Sequence, residues 1–437
     1  APQTRFGTIL TASSGITGQF SRLLVNITPT VMFKPRYGIN EIYLVTERDY
    51  LNENLLPYLT ANQKAVGSML NSVGNTATGD LNEVLSKIDA LPSCDRTAYA
   101  LDQLAPRGGE AQFGMGIAAA TFQNSNMADR LSDLRDGMRG ISFSGLSLKQ
   151  GDITKGILIA GAGSDLTGMI PSGMDDRWGF FLKGNAVAGD HKDTPDYPGY
   201  DFTTAGITMG GDYRFTKSLI AGVMLGINAS RGNTDNMGSK VRMDGFALGL
   251  YGTYYRQEFF MDGQISYGLS YYDNTRRIVF PGLDRTASSS PHGNQFNAYW
   301  GMGREFRIKR WMIAPAISLQ YIKLGIDSYT EHSAGALNLD VDKQSAESLQ
   351  GNIGGRISYT WQTDKALVIP GIRASYGHDF AHNNGNVTAQ LVQGSSPFSI
   401  EVASPDRNFL SLGAGITAIT KNALSLSINY GAQIGES

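Results

Sequence analysis

The sequence predicts a mainly β protein: an antiparallel transmembrane β-barrel of twelve strands, preceded by a short β unit and a helical linker. Three observations carry this. From residue 177 onward, apolar and polar side chains alternate with a period of two, as in strands with one face on lipid and the other on a wet interior. The connections between those strands alternate between short and long. Glycine stands at 53 of 437 residues, roughly twice an average share near 7%, beside 20 Tyr and 19 Phe.

The bulk composition excludes several functions. With 37 Lys and Arg against 39 Asp and Glu, no excess charge favours nucleic acid. A single cysteine, Cys94, excludes an internal disulfide framework. No run of about 18 apolar residues exists for a membrane-spanning helix, and the mean hydropathy is −0.19. A barrel remains compatible with both, because each of its strands shows lipid only every second side chain. The opening residues Ala1-Pro2-Gln3-Thr4 lack the basic and apolar regions of a secretion signal, so the front is expected to be processed or cut.

Residues 1–50 read as short strands over 6–11, 16–25, 30–35 and 40–46, broken by Ser-Ser-Gly, Pro35 and Gly38. Residues 51–140 change to helical spacing over 62–70, 80–88, 96–104 and 110–138, punctuated by Pro92 and Pro106-Arg107-Gly108-Gly109. The last helix carries Phe113, Ile117, Ala120, Met127, Leu131 and Leu134. It ends in charges, Asp129-Arg130, Asp133 and Arg135-Asp136. Residues 141–176 are rich in Gly and Ser without a period, and are expected to form a connector in or near the barrel lumen.

Residues 177–437 form the expected barrel. Along 205–215, Ala205, Ile207, Met209, Tyr213 and Phe215 share one face, with Thr208, Asp212 and Arg214 on the other. The strands at 259–271 and 349–361 repeat this, and further examples fall at 311–321, 368–376, 410–418 and 424–430. Short charged turns at Lys217-Ser218, Gln257, Lys309-Arg310, Thr363-Asp364-Lys365 and Lys421-Asn422 alternate with long polar segments near 190–203, 231–241, 273–294, 327–345 and 379–407. Short periplasmic turns opposite long outer loops are the outer-membrane pattern. Aromatic residues beside the short turns, among them Phe215, Tyr254, Phe259, Trp311 and Trp361, read as an interfacial girdle. Eleven strands can be counted from Trp178. Closure in lipid requires a twelfth, expected to return inward and to be missing from this chain. The inward polar residues Asp212, Arg214, Asp262, Gln264, Asn352, Arg356 and Arg373 are candidates either to hydrogen-bond a helix bearing Asp133, Arg135 and Asp136 or simply to line a wet lumen.

The run Asp176-Arg177-Trp178-Gly179-Phe180-Phe181-Leu182-Lys183-Gly184 resembles the opening strand of autotransporter β-domains. Ile207 to Phe215 and Phe246-Ala247-Leu248-Gly249-Leu250-Tyr251-Gly252 resemble the second and fourth strands of that family. Gly7-Thr8-Ile9-Leu10-Thr11-Ala12 with Gly15-Ile16-Thr17-Gly18-Gln19-Phe20 resembles the closing rungs of a passenger β-helix, and Tyr99 to Leu104 resembles the helical segment before the barrel. The resemblance covers nearly the whole chain in the family's order. It departs at Gln433-Ile434-Gly435-Glu436-Ser437, where family members end in a strand with a terminal aromatic. It implies type V secretion: a barrel in the outer membrane with lipid, the assembly machinery and periplasmic chaperones as partners, a passenger carried to the cell surface, and the linker helix left in the lumen.

Chemistry is sparse. His378-Asp379-Phe380-Ala381-His382 holds the only close histidine pair and lacks neighbouring metal ligands, so no metal and no cofactor is expected. There is no Gly-x-Ser-x-Gly elbow, and Gly161-Ala162-Gly163 lacks the following Lys-Ser of a phosphate cradle. The segment from Phe122 to Asp136 is similar to the linker of self-cleaving serine-protease autotransporters. That likeness makes Asn124 and Asn126 candidates for cyclisation and chain cleavage, with Asp212 or Asp262 as the activating carboxylate. The spacing after Asn126 is longer than in that subgroup and two adjacent asparagines are absent, which favours a plain amphipathic linker helix. The leading reading is therefore a non-enzymatic outer-membrane translocator and surface anchor. The alternative is a porin-like or adhesin barrel whose own loops bind ligand. A soluble propeller would need internal repeats that the sequence lacks.

Overall fold

The computed structural model describes residues 4–20, 27–106, 108–136, 138, 140–144, 177–193, 199–234, 238–364, 366–381, 385–402, 407–420 and 425–435. The connector over 145–176, the 421–422 turn and His382 of the histidine pair lie outside them.

The chain opens with three strands, β1 (Arg5–Thr11), β2 (Val31–Tyr37) and β3 (Glu41–Arg48), in the sheet order β1-β3-β2. Both pairings are antiparallel, which corrects the expectation of β-helix rungs over 1–50, since rungs stack in parallel. The reason is local. Gly38, Ile39 and Asn40 join β2 to β3 too tightly for the crossover a parallel pair requires. The strand expected over 16–25 is also absent from its described part, 16–20, where Gly15 at φ +88° and Gly18 at φ +95° turn the backbone left-handed.

Four helices follow: α1 (Ala61–Val73), α2 (Gly79–Asp89), α3 (Cys94–Leu104) and α4 (Gly109–Arg135). Thr60 and Gln63 form a capping box at the start of α1, and the Ser93 hydroxyl accepts from the Arg96 N–H at the start of α3. Among the described residues no helix is long and apolar enough to cross a membrane.

The barrel closes as a ring of twelve. Its long strands are β5 (Trp178–His191), β6 (Tyr200–Arg214), β7 (Leu219–Thr234), β8 (Lys240–Arg256), β9 (Phe259–Phe280), β10 (His292–Arg304), β11 (Trp311–Ile326), β12 (Gln344–Tyr359), β13 (Ala366–Asp379), β14 (Asn408–Thr420) and β15 (Ser425–Gly435). All pair antiparallel in chain order. The twelfth place, expected to fall to a returning strand, is taken in this ring by β4 (Gly140–Ser144), part of the segment assigned to the connector. β5 and β15 both run outward from the short-turn side, and β4 runs outward between them, so it pairs parallel to both.

Outside the barrel wall, β9 continues into a hairpin with Leu283–Ser289, and a second sheet joins Tyr329–Thr330, Leu339–Val341, Asn386–Leu391 and Phe398–Glu401. Helices α1–α3 dock on these outer loops through a shared apolar core that includes Leu70, Leu85 and Leu101 from the helices with Ile278, Leu337 and Val387 from the loops. Polar contacts fix the dock. Arg285 binds Asp80 at 2.5 and 2.8 Å, and the Ala336 N–H donates to the same carboxylate at 2.8 Å. Asn62 both accepts from the Glu401 N–H and donates to its carbonyl, completing the edge of Phe398–Glu401.

Candidate functional site: a helix held in the barrel lumen

Helix α4 has 27 residues and so extends about 40 Å, enough to run the depth of the barrel. It begins at Gly108, whose φ of +99° needs a glycine, at the outer end beside Val241 and Val387. It ends near the short-turn side beside Glu305 and Arg356. The helix leans on β5–β9. There Met127, Leu131 and Leu134 pack on Phe181, Ile220, Met224 and Tyr251 in a small buried seam.

The upper half of α4 meets the wall through neutral amides. Gln112 donates to Asn274 at 2.9 Å, and Gln320 donates to Thr121 at 3.3 Å. Asn124 exchanges amide bonds with Asn297 at 3.0 and 2.5 Å while accepting from Gln264 at 2.9 Å. Asn126 donates to Thr208 at 3.0 Å. All four of these side chains on α4 and β9–β10, Asn124, Asn126, Gln264 and Asn297, are buried, so their hydrogen bonds replace water that could not reach them.

The lower half is charged. Arg130, fully buried, binds Asp212 at 2.8 Å, donates to Ser142 of β4 at 2.8 Å and lies over the Phe181 ring. The Tyr251 hydroxyl donates to Asp212 as well. Asp133 pairs with Lys183 at 3.2 Å. Arg135 grips Asp262 through both carboxylate oxygens, binds Glu305 at 2.9 Å and stacks on Phe260. On the opposite side Asp129 reaches Arg373 at 2.6 Å, and Asp136 reaches Arg356 at 2.7 Å and Arg307 at 3.1 Å. A cavity of ≈ 50 Å³ opens among these last groups, between α4 and β12–β15.

Of the polar residues read as inward, the structure brings Asp212, Asp262, Gln264, Arg356 and Arg373 onto α4. Two stay apart from it. Arg214 donates to the Tyr255 hydroxyl instead, and Asn352 lines the lumen on β12 with no hydrogen bond to α4 among the described residues. Lys183, Thr208, Asn297, Glu305 and Arg307 also meet α4; strand alternation puts Lys183, Thr208 and Asn297 on the inward side but carries no sign of a contact with the helix. The two carboxylates proposed to activate an asparagine are committed to Arg130 and Arg135, and neither contacts Asn124 or Asn126.

A family model of the autotransporter β-domain matches residues 180–431, more than half of the chain. The chain belongs to the autotransporter β-domain family. It is 23% identical over 267 residues to the esterase EstA of Pseudomonas aeruginosa, covering 60% of this chain and 41% of that protein. It is also 23% identical over 283 residues to outer membrane protein A of Rickettsia conorii, covering 60% of this chain and 13% of that one. The chain thus spans less than half the length of these relatives. Among solved structures it is similar to the translocator domain of the autotransporter NalP from Neisseria meningitidis, with TM-score 0.43 and 15% identity over 73% of this chain and 95% of that one. The transport unit of AIDA-I from Escherichia coli is similar at TM-score 0.41 and 18% identity over 61% and 88%. This autotransporter barrel sits in the outer membrane and acts as a translocator.

Proposed function

We propose that this autotransporter carries its own N-terminal passenger outward through the barrel and then holds it at the cell surface, with α4 kept whole as the tether and no enzymatic step of its own. The observation that carries the reading is the continuous set of bonds from Gln112 to Asp136 between α4 and the lumen wall. An intact tether is supported by Asn124, whose amide nitrogen donates to Asn297 and whose amide oxygen accepts from Gln264. The assembly machinery and periplasmic chaperones complete the proposal as biogenesis partners, because strands apolar on their outer face must cross the periplasm before insertion. A porin-like role fits less well, since the lumen holds a helix bonded on both sides.

The test uses intact cells expressing the full-length protein with an epitope at the passenger's N-terminus. Added protease is expected to remove the epitope and leave a protected barrel containing α4. An epitope that becomes accessible only after the outer membrane is opened would overturn export, and a barrel recovered already cut within α4 would overturn the tether.

A further inference from the structure

We propose that the lipid-facing wall of the barrel carries a specific glycerophospholipid site in the periplasmic leaflet, with the phosphate held by Arg256 and Arg304 and an acyl chain laid in a groove over Gly252 and Gly263. This goes beyond export and concerns the outside of the wall.

The groove is set by register. On the face turned to lipid, Gly252 of β8 lies beside Gly263 of β9, which lies beside Trp300 of β10. Ala221 of β7 continues the same row on one side and Leu319 of β11 on the other. The next row outward is tall where the glycines are flat, with Leu250 and Ile265 standing proud. A side chain added at Gly263 would meet nothing within 4 Å, so the space over it is open. The resulting apolar depression is shallow and open to the lipid side, with ≈ 500 Å³ of space over the two glycines.

The charge is set by the same register. Phe259, four residues toward the short-turn side of Gly263, pairs with Arg256 on one flank and Arg304 on the other. All three are exposed on the lipid-facing parity, at the level of the aromatic girdle. The two arginines therefore stand about 10 Å apart across one strand, and about 13 Å along the strands from the groove. That arrangement matches a lipid whose phosphate lies at the interface and whose chain reaches inward. Arg304 also touches Glu258 at 3.2 Å, with both side chains more than half exposed, a solvated pair that leaves guanidinium N–H groups for a second anion. Guanidinium forks suit phosphate oxygens.

The experiment is native mass spectrometry of the full-length protein released from vesicles of equal phosphatidylethanolamine and phosphatidylglycerol. One phospholipid is expected to remain on most barrels. Gly263→Leu, which fills the groove, and the double variant Arg256→Gln/Arg304→Gln are each expected to lower the retained fraction at least tenfold. Arg310→Gln, at a neighbouring short turn, is expected to leave it unchanged. Heat-modifiable migration of every variant confirms that its barrel is folded. Retention that survives either the groove or the arginine substitution overturns the proposal, as does a lipid-free dimer.

Discussion

Arg130 of α4 and Asp212 of β6 meet 2.8 Å apart with side chains 0% and 3% exposed. Asp212 also receives the Tyr251 hydroxyl of β8, and Arg130 also reaches Ser142 of β4. One buried pair thus joins the lumen helix to three separate staves of the wall, including the short one that closes the ring.

Breaking this pair from one side is expected to be costly and replacing it whole is not. Asp212→Leu leaves a buried guanidinium without its counter-charge, at a cost of about 3–5 kcal/mol. Arg130→Met/Asp212→Leu, an apolar pair in the same space, is expected to recover most of that loss. Urea unfolding of the detergent-solubilised barrel measures both, and a double variant no better than the single one would show that the pair is not coupled.

The linker is expected to stay whole. Outer-membrane fractions should give one species of unbroken mass, the same for Asn124→Ala and Asn126→Ala as for the parent chain. Two fragments in the parent that merge into one in either variant would establish cleavage.

Asp80 gives the outer dock a pH dependence. Hydrogen bonds from Arg285 and the Ala336 N–H hold its carboxyl at about 2, below the ordinary 3.8. A lowered value means the contact contributes fully above about 4 and fades as the pH falls toward 2. Because Asp80 is about a third exposed, solvent screening limits the contribution to ~1 kcal/mol or less. Protection of the α2 amides, taken relative to their intrinsic exchange rate at each pH, is expected to fall across that window, and Asp80→Asn should remove that fall. Unchanged protection between pH 5 and 2 would count against it.

Gly108 is expected to tolerate no side chain without strain. Its φ of +99° lies where an L-residue pays about 1–2 kcal/mol, and Val241 stands against the position. Gly108→Ala should lower the unfolding free energy obtained from urea titration by that amount. A neutral result would mean the start of α4 adjusts freely.

Much of the barrel was legible because a lipid-facing strand must alternate, and a one-residue error would turn Leu248, Leu250 and Ile265 inward. The same parity marked Asp212, Asp262 and Gln264 as inward. It could not say which of them α4 would meet, because that depends on the side of the lumen the helix leans on. Arg214 and Asn352 carry the same signal as Arg356 and find other surroundings. The closing place of β4 was not legible either: five residues of Gly-Ile-Ser-Phe-Ser are too few to show a period. In the first fifty residues the antiparallel order was hidden because strand pattern alone does not reveal pairing direction.

The ladder on α4 has a mechanical consequence. Its ion pairs to Asp212, Lys183, Asp262, Arg356 and Arg373 point outward from the helix axis in several directions. A pull on the surface end acts along that axis, so it loads these bonds sideways and together instead of peeling them one after another. Drag on whatever the helix carries is therefore shared around the circumference of the barrel, and single-molecule pulling from the N-terminus should show one high, abrupt rupture for α4 in place of a series of small ones.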